Sequence, residues 1–261
     1  MANDYEKFKR DVHSLTKIDL NAYKEKQMRR RIDSFLSRHK VVDYDGLISA
    51  CKTDEVLFRE FVNFLTINVS EFYRNTDQWE IMDKTVIPKL INRFGKNLKI
   101  WSAACSTGDE PYSLVMAFSK FIPLNQIKVI ATDIDDQVIA KAKTGLYSAK
   151  SIAGVPEEFK KKYFTQIGDS FQISPDIKKC VEFKEANLLK DAYEQNCHLI
   201  LCRNVVIYFT EETKDMIYKK FYDSLVDGGF LFIGSTEQII NYRTMGYTRF
   251  ESFFFQKGDM E

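Results

Sequence analysis

From about residue 77 onward the hydrophobic period changes repeatedly, and this alternation constrains the fold more than any other feature. A helical stretch over 77–94 gives way to LKIWSAA, a short apolar run suited to a buried strand. A helix then starts at Asp109, IKVIATDI reads as a second strand, and another helix starts at Asp136. Strands separated by helices pair in parallel, because each crossover returns the chain to the same end of the sheet. HLILCRN continues the pattern as a strand, 211–225 as a helix, DGG as a turn, FLFIGST as a strand and TRFESFFFQKG as the last strand. Between Gly145 and Glu185 the rhythm breaks, and KKYFTQIGDSFQIS and KKCVEFKEAN read as short β segments around turns. The expected fold class is α/β: a doubly wound domain over 76–261 with a small β subdomain inserted at 146–185.

Residues 1–75 keep one period instead. Met28, Ile32, Phe35 and Leu36 stand at i, i+4, i+7 and i+8, and Val56 to Leu65 is patterned the same way. The stretch has no proline, and its only glycine is Gly46. An all-α N-terminal domain over 1–75 is expected.

Global charge excludes some functions. A formal net charge of +1 gives no overall field to attract nucleic acid or an anionic membrane, so electrostatic targeting must be local. No apolar run approaches the roughly 20 residues that span a bilayer, and MANDYEKFKRDVHS lacks a signal-peptide core, so a cytoplasmic protein without membrane insertion is expected. The five cysteines show no CxxC spacing and the three histidines are isolated, so neither a disulfide frame nor a metal site is expected.

The first strand runs into CSTGDEPYS, which places Gly108 in a strand-to-helix turn and Thr107 or Asp109 at an N-cap. A glycine there admits a ligand close to the backbone, or simply closes a tight turn. The second strand ends at Asp133, where a doubly wound fold grips a ribose; a helix cap or a solvated acid would also fit. ACSTGDE lacks the G-x-G-x-x-G pattern that bares a helix N-terminus to pyrophosphate, which disfavours a dinucleotide oxidoreductase. An acid at Asp109 or Glu110 repels phosphate and accepts hydrogen bonds from a cationic amino group, as the methionine end of S-adenosylmethionine provides.

Taken in order, TINVSEFYRN, IWSAACSTGDEPYSL, ATDID, ANLL, CRNVVIYF and GSTEQI closely resemble the CheR chemoreceptor methyltransferases, over nearly the whole chain. The resemblance implies a class I, Rossmann-like S-adenosylmethionine-dependent domain after a helical domain. The implied reaction passes a methyl group to receptor glutamates, giving γ-methyl esters and S-adenosylhomocysteine. It implies cofactor contacts at Asn68, Ser70, Arg74, Glu110, Asp133, Asn187, Leu188, Arg203 and Asn204, and catalytic positions at Arg74 and Tyr208. By residue type alone, Arg74 also fits a surface ion pair, Tyr208 a half-buried strand-end aromatic, Asn187 and Asn204 turn positions, and Leu188 core.

A glutamate carboxylate, with an unperturbed pKa of about 4.3, is already a nucleophile at neutral pH and needs no general base. The protein must supply orientation and exclude water, Arg74 through a charge-assisted bond and Tyr208 through a hydrogen bond or packing. Docking is expected on Lys24, Lys26, Arg29, Arg30, Arg31 and Arg38, which with Lys40 face only Glu25 and Asp33 in that segment. A solvated helix face has the same composition, but the glutamate-rich helical bundle of a chemoreceptor complements it. The loop IGDSF lacks the glycine-rich extension of members that hold a receptor tethering peptide. A monomer is expected. Two alternatives stay open: a nucleic-acid methyltransferase, although CRNVVIYF lacks the proline-rich aromatic motif of base amino-methylators, and a non-catalytic S-adenosylmethionine-binding module, which Arg74 and Tyr208 oppose.

Overall fold

The structure is a computed structural model that describes residues 2–258. Its chain forms two compact units, one made of the residues up to Asn68 together with Val206–Lys214, the other of Val69–Val205 and the chain from Asp215 on.

The first unit is a small helical bundle of α1 (Ala2–Thr16), α2 (Glu25–His39), α3 (Tyr44–Thr53) and α4 (Glu55–Thr66). Asp43 caps α3 by accepting the Gly46 N–H, and Asp54 caps α4 by accepting the Val56 and Leu57 N–H groups. The apolar stripe of α2, Met28, Ile32, Phe35 and Leu36, is buried with Phe8, Val12, Leu47 and Phe61. The unit therefore ends earlier than the expected boundary at residue 75, and it gains a returning segment. Tyr23 bridges to Phe209, the Lys24 N–H donates to the Tyr208 carbonyl at 2.9 Å, and the Thr210 N–H donates to the Ala22 carbonyl at 2.9 Å. Val206–Tyr208 is a short 3-10 turn and not a strand end, as the expected strand stops at Cys202. Hydrogen bonds between segments so far apart leave no periodic trace in a sequence.

The second unit opens with α5 (Thr76–Ile81) and α6 (Ile87–Phe94), which run on as one helix through a widened π-type turn at Met82–Val86. Pro88 has no N–H to offer the preceding turn, and the Ile87 N–H reaches five residues back to Met82. There follow β1 (Ile100–Ala103), α7 (Asp109–Phe118), β2 (Val129–Asp133), α8 (Asp136–Thr144), β3 (Leu146–Ser148), α9 (Glu157–Tyr163), β4 (Phe164–Ile167), β5 (Ser170–Ile173), α10 (Pro175–Lys178), β6 (Val181–Glu185), β7 (Cys197–Cys202), α11 (Glu211–Ser224), β8 (Leu225–Ile233), β9 (Tyr247–Glu251) and β10 (Phe254–Lys257).

The main sheet has the order β6-β2-β1-β7-β8-β10-β9. Its first five strands are mutually parallel, and β10 and β9 add an antiparallel edge. Leu199, Leu201, Phe230, Phe232 and Val129 from its interior strands are all at most 1% exposed, as continuous apolar runs in a sheet covered on both faces should be.

Three expectations require correction. The segment 181–185 does not belong to the inserted subdomain; as β6 it pairs in parallel with β2, Val181 opposite Val129 through Glu185 opposite Asp133. The insert's own sheet is β3-β5-β4, all antiparallel. TRFESFFFQKG is not one strand but a hairpin that turns at Ser252 and Phe253, with Phe253 at φ 69. DGG does not separate helix from strand. It lies inside β8, where the pairing with β7 jumps from Cys197–Leu225 to Leu199–Phe230. Short β patterns show that a strand exists but not which neighbour it pairs with. Among the described residues, no helix is long and apolar enough to cross a membrane.

Candidate functional site

In the main sheet the chain builds outward from β1 to β2 and β6, then returns to lay β7 on the other side of β1. Strand order thus reverses between β1 and β7, and in an open parallel sheet ligands bind beyond the carboxyl ends of the strands at such a reversal. The residues after β1, β2, β6 and β7 are therefore the ones to read.

After β1 the backbone takes left-handed conformations at Ala104 (φ 64), Ser106 (φ 49) and Gly108 (φ 89). A Cβ on Gly108 would stand 2.8 Å from the Ala142 Cβ and 3.1 Å from the Tyr147 hydroxyl, so glycine is required by both space and φ. Gly108 itself occupies the N-cap position of α7, without a side-chain cap, so neither Thr107 nor Asp109 plays that part. Asp109 is fully buried and accepts the hydroxyls of Thr107 and Ser151, each at 2.6 Å. It ties the turn to the insert, and its oxygens are committed to that role.

Asp133, at the end of β2, is 6% exposed and binds the turn after β1. It accepts the Ser106 N–H at 2.8 Å and the Asp135 N–H at 3.0 Å. Burial pushes its carboxyl up to about 6, against the pull of these backbone donors. The helix cap there is Asp135, which accepts the Gln137 N–H. The turn after β6 joins this end of the sheet through the Ala186 N–H, which donates to the Asp133 carbonyl at 2.8 Å. Asn187 uses its Oδ1 on the Leu189 N–H and its own N–H on Asp191, while half-buried Leu188 offers its carbonyl to Tyr193.

Arg203 follows β7 with a side chain only 2% exposed. Its Nη2 donates to the Arg74 carbonyl at 2.8 Å, Gln78 Oε1 at 2.9 Å and Asn75 Oδ1 at 3.2 Å, and its guanidinium lies 4.4 Å from the Phe232 ring centroid. Its Nη1 stands 3.6 Å from Glu110, whose other oxygen accepts the Ser102 hydroxyl at 2.8 Å. Burial raises the Glu110 carboxyl above its ordinary value even with this arginine beside it, and burial lowers Arg203. Asn204 is left-handed at φ 61, and its Oδ1 is buried without a hydrogen-bond partner among the described residues, as is the Ser106 Oγ.

Arg74, Glu110, Arg203 and Asn204 are thus linked at the switch point, with Asp133 and Asn187 at neighbouring strand ends. The Arg74 side chain is half-buried and makes one bond, to the Val69 carbonyl at 3.3 Å, with no carboxylate within ion-pair distance among the described residues. Ser70 is half-buried in the same loop. Asn68 and Tyr208 lie in the first unit, where Asn68 donates to Thr66 Oγ1 at 2.9 Å and Tyr208 is half-buried.

Of the six basic residues expected to dock a partner, Arg29 lies 5.0 Å from the Tyr5 ring, and Arg31 donates to the Phe64 carbonyl at 2.7 Å. These two therefore help hold the bundle. Lys26 and Arg30 are exposed without an ion pair among the described residues, Arg38 is exposed over the Phe64 ring, and Lys24 stands 3.7 Å from Glu211.

The set suits a nucleoside ligand without phosphates. Glu110 can receive an ammonium group, the orphan Asn204 Oδ1 and Ser106 Oγ await polar partners, and the acidic first turn of α7 repels a phosphate. Such a site on a sheet of this order defines an S-adenosylmethionine-dependent methyltransferase domain. A family model described as "CheR methyltransferase, SAM binding domain" matches residues 68–252, and one described as "CheR methyltransferase, all-alpha domain" matches residues 3–66. The chain is 40% identical over 257 residues to a chemotaxis protein methyltransferase of Listeria innocua, covering 98% of each chain. It is 32% identical to chemotaxis protein methyltransferase 1 of Pseudomonas aeruginosa, covering 91% of each, and 30% identical to the chemotaxis protein methyltransferase of Borreliella burgdorferi, covering 88% of this chain and 86% of that one. The chain belongs to the CheR methyltransferase family.

Two buried acids organise these strand ends: Asp109, offered by the sequence only as an alternative to Glu110 for a cationic amino group, and Glu237, which the sequence reading omits. Neither STGDEPYS nor GSTEQI marks its acid as buried, because a deciding donor for each comes from a distant segment: the Ser151 hydroxyl for Asp109 and the Val205 N–H for Glu237.

Proposed function

We propose that this protein methylates glutamate side chains on the cytoplasmic helical bundle of chemoreceptors, forming γ-methyl esters. Membership of the family and the names of its relatives, chemotaxis protein methyltransferases, support the reaction class. The observation that carries the site assignment is the group at the sheet's switch point made of half-buried Glu110, buried Arg203 and Asn204 with its orphan Oδ1.

In this reading Glu110 holds the ammonium group of S-adenosylmethionine, Asp133 its ribose hydroxyls, and Asn187, Leu188 and Asn204 further parts of it. Arg203 orders the Arg74 loop from beneath by gripping the Arg74 carbonyl. Asn68, Ser70 and Tyr208 join the set on their motifs. When bound, S-adenosylmethionine supplies a methyl group on a positively charged sulfur. The chain's part is to orient an ionised glutamate and exclude water, and the Arg74 guanidinium, which has no carboxylate partner among the described residues, supplies a planar donor fork for it. Tyr208 is assigned its part, as a hydroxyl donor, on its motif alone. No residue need abstract a proton, because the substrate carboxylate is ionised at neutral pH.

The helical unit serves as the docking domain, with Lys24, Lys26, Arg30 and Arg38 as its contact charges and Arg29 and Arg31 supporting them. The chain acts as a monomer in the cytoplasm. The test uses methyl-labelled S-adenosylmethionine and a chemoreceptor cytoplasmic fragment. Label released from the fragment as methanol by mild base is expected, with most turnover lost in Arg74→Lys. Base-stable label would show nitrogen methylation and overturn the reading.

A further inference from the structure

The carboxylate of Glu237 lies between the ends of two neighbouring parallel strands. The β7–β8 ladder closes at Cys202 opposite Ile233, and beyond that point strand N–H groups have no ladder partner. Two of them turn to Glu237: the Gly234 N–H donates to Oε2 at 2.6 Å and the Val205 N–H to Oε1 at 2.9 Å. The side chain is buried, the residue being 3% exposed. Gly234 makes the close approach possible, since a Cβ there would stand 2.7 Å from the Asn204 N and 2.8 Å from Glu237 Oε2.

Between the strand end and Val205 sits Asn204, in a left-handed conformation (φ 61) that asparagine adopts more readily than other non-glycine residues. Its buried Oδ1 finds no hydrogen-bond partner among the described residues. An unsatisfied buried acceptor is a costly arrangement, and its rationale is a donor from outside the chain. We propose that Glu237 is a positioning residue for S-adenosylmethionine: by clipping the ends of β7 and β8 together it fixes Asn204 in the conformation that offers Oδ1 to the cofactor. This rests on the assignment of Asn204 as a cofactor contact.

A carboxylate is required for the clip because it accepts at both oxygens. Glutamine would turn an NH2 group toward one of the two backbone N–H donors and leave it unpaired, and aspartate is one methylene too short to span both.

The test is a double-mutant cycle on the full chain, read as the Kd for S-adenosylmethionine by calorimetry, with thermal unfolding of the ligand-free protein as a check on folding. Asn204→Ala and Glu237→Gln should each weaken binding about tenfold, and the double variant should be no weaker than Asn204→Ala alone, because a clip without its amide has nothing left to position. Glu237→Asp should behave like Glu237→Gln. Wild-type affinity in a folded Glu237 variant, or losses that multiply in the double variant, would overturn the proposal. Failure of both Glu237 variants to fold would also overturn it, by making the residue a requirement of the sheet itself. Wild-type affinity in Asn204→Ala would instead refute the cofactor assignment on which it rests.

Discussion

Replacing Glu110 by glutamine should leave the ligand-free protein at least as stable as the wild type while weakening its hold on S-adenosylmethionine. The two carboxylate oxygens face a hydroxyl at 2.8 Å and a guanidinium at 3.6 Å, and the side chain is only 14% exposed. At 3.6 Å the attraction to Arg203 is roughly 5 kcal/mol for an effective dielectric of about 20. Burial costs several kcal/mol per ion. The raised carboxyl of Glu110 shows which side wins: the folded protein holds the Glu110 proton more tightly than an unfolded chain does, so the ionised group at neutral pH is a net cost to folding. Glutamine keeps an acceptor for Ser102 and removes that cost, and Arg203 retains its three acceptors in the 74–78 segment. The cofactor's ammonium, however, loses a charged hydrogen-bond partner worth about 1.5–3 kcal/mol, or roughly 10- to 150-fold in Kd. Thermal unfolding of the ligand-free variant and calorimetric titration measure the two halves. If the ion pair were instead a net support of the fold, breaking it would cost about 3–5 kcal/mol and lower Tm by roughly 6–20 °C. That drop, or an unchanged Kd, would refute the reasoning.

Asp133 should make cofactor binding pH-dependent. With a folded value of about 6 its carboxylate is ionised at pH 7.5 and becomes protonated as the pH falls below 6, losing an acceptor, so Kd should rise by up to about tenfold per unit below that point and Asp133→Asn should flatten the profile. For stability the sign is reversed: ligand-free stability should fall as pH rises from about 4 to 6 through this group, since its folded value lies above its unfolded one. Gly108→Ala combines a left-handed residue, about 1–2 kcal/mol, with overpacking against the Ala142 Cβ at 2.8 Å, about 1–3 kcal/mol; Tm should fall by roughly 4–20 °C, and an unchanged Tm would show that the turn can move aside. Reversing both Lys26 and Arg30 to glutamate should raise KM for a receptor fragment about 5- to 30-fold with little change in Tm, and the effect should shrink as salt is added. Arg31→Ala should instead lower Tm, because its guanidinium is bonded to the Phe64 carbonyl.

Much of this protein was legible in local pattern. The strands ending at Ala103, Asp133 and Cys202, the helical N-terminal unit and the glycine turn at Gly108 follow from period and turn chemistry, which act over a few residues. The class of the site was legible as well, from an acid in the place of a glycine triad. What the sequence could not show is which groups spend their bonding capacity within the chain. Asp109 and Glu110 are adjacent and identical in charge, yet Asp109 is consumed by two hydroxyls while Glu110 faces Arg203. Arg29 and Arg31 share a basic run with Lys26 and Arg30, yet packing turns the first two onto aromatic rings. The placement of 181–185 at the edge of the parallel sheet, the hairpin at the end of the chain and the return of 206–214 to the helical unit were likewise decided only by tertiary structure. Hydrophobic period is a property of neighbours in sequence, and so it determines elements and their order. Strand pairing, burial of charge and the satisfaction of each donor depend on residues many tens of positions away, and only the folded chain brings them together.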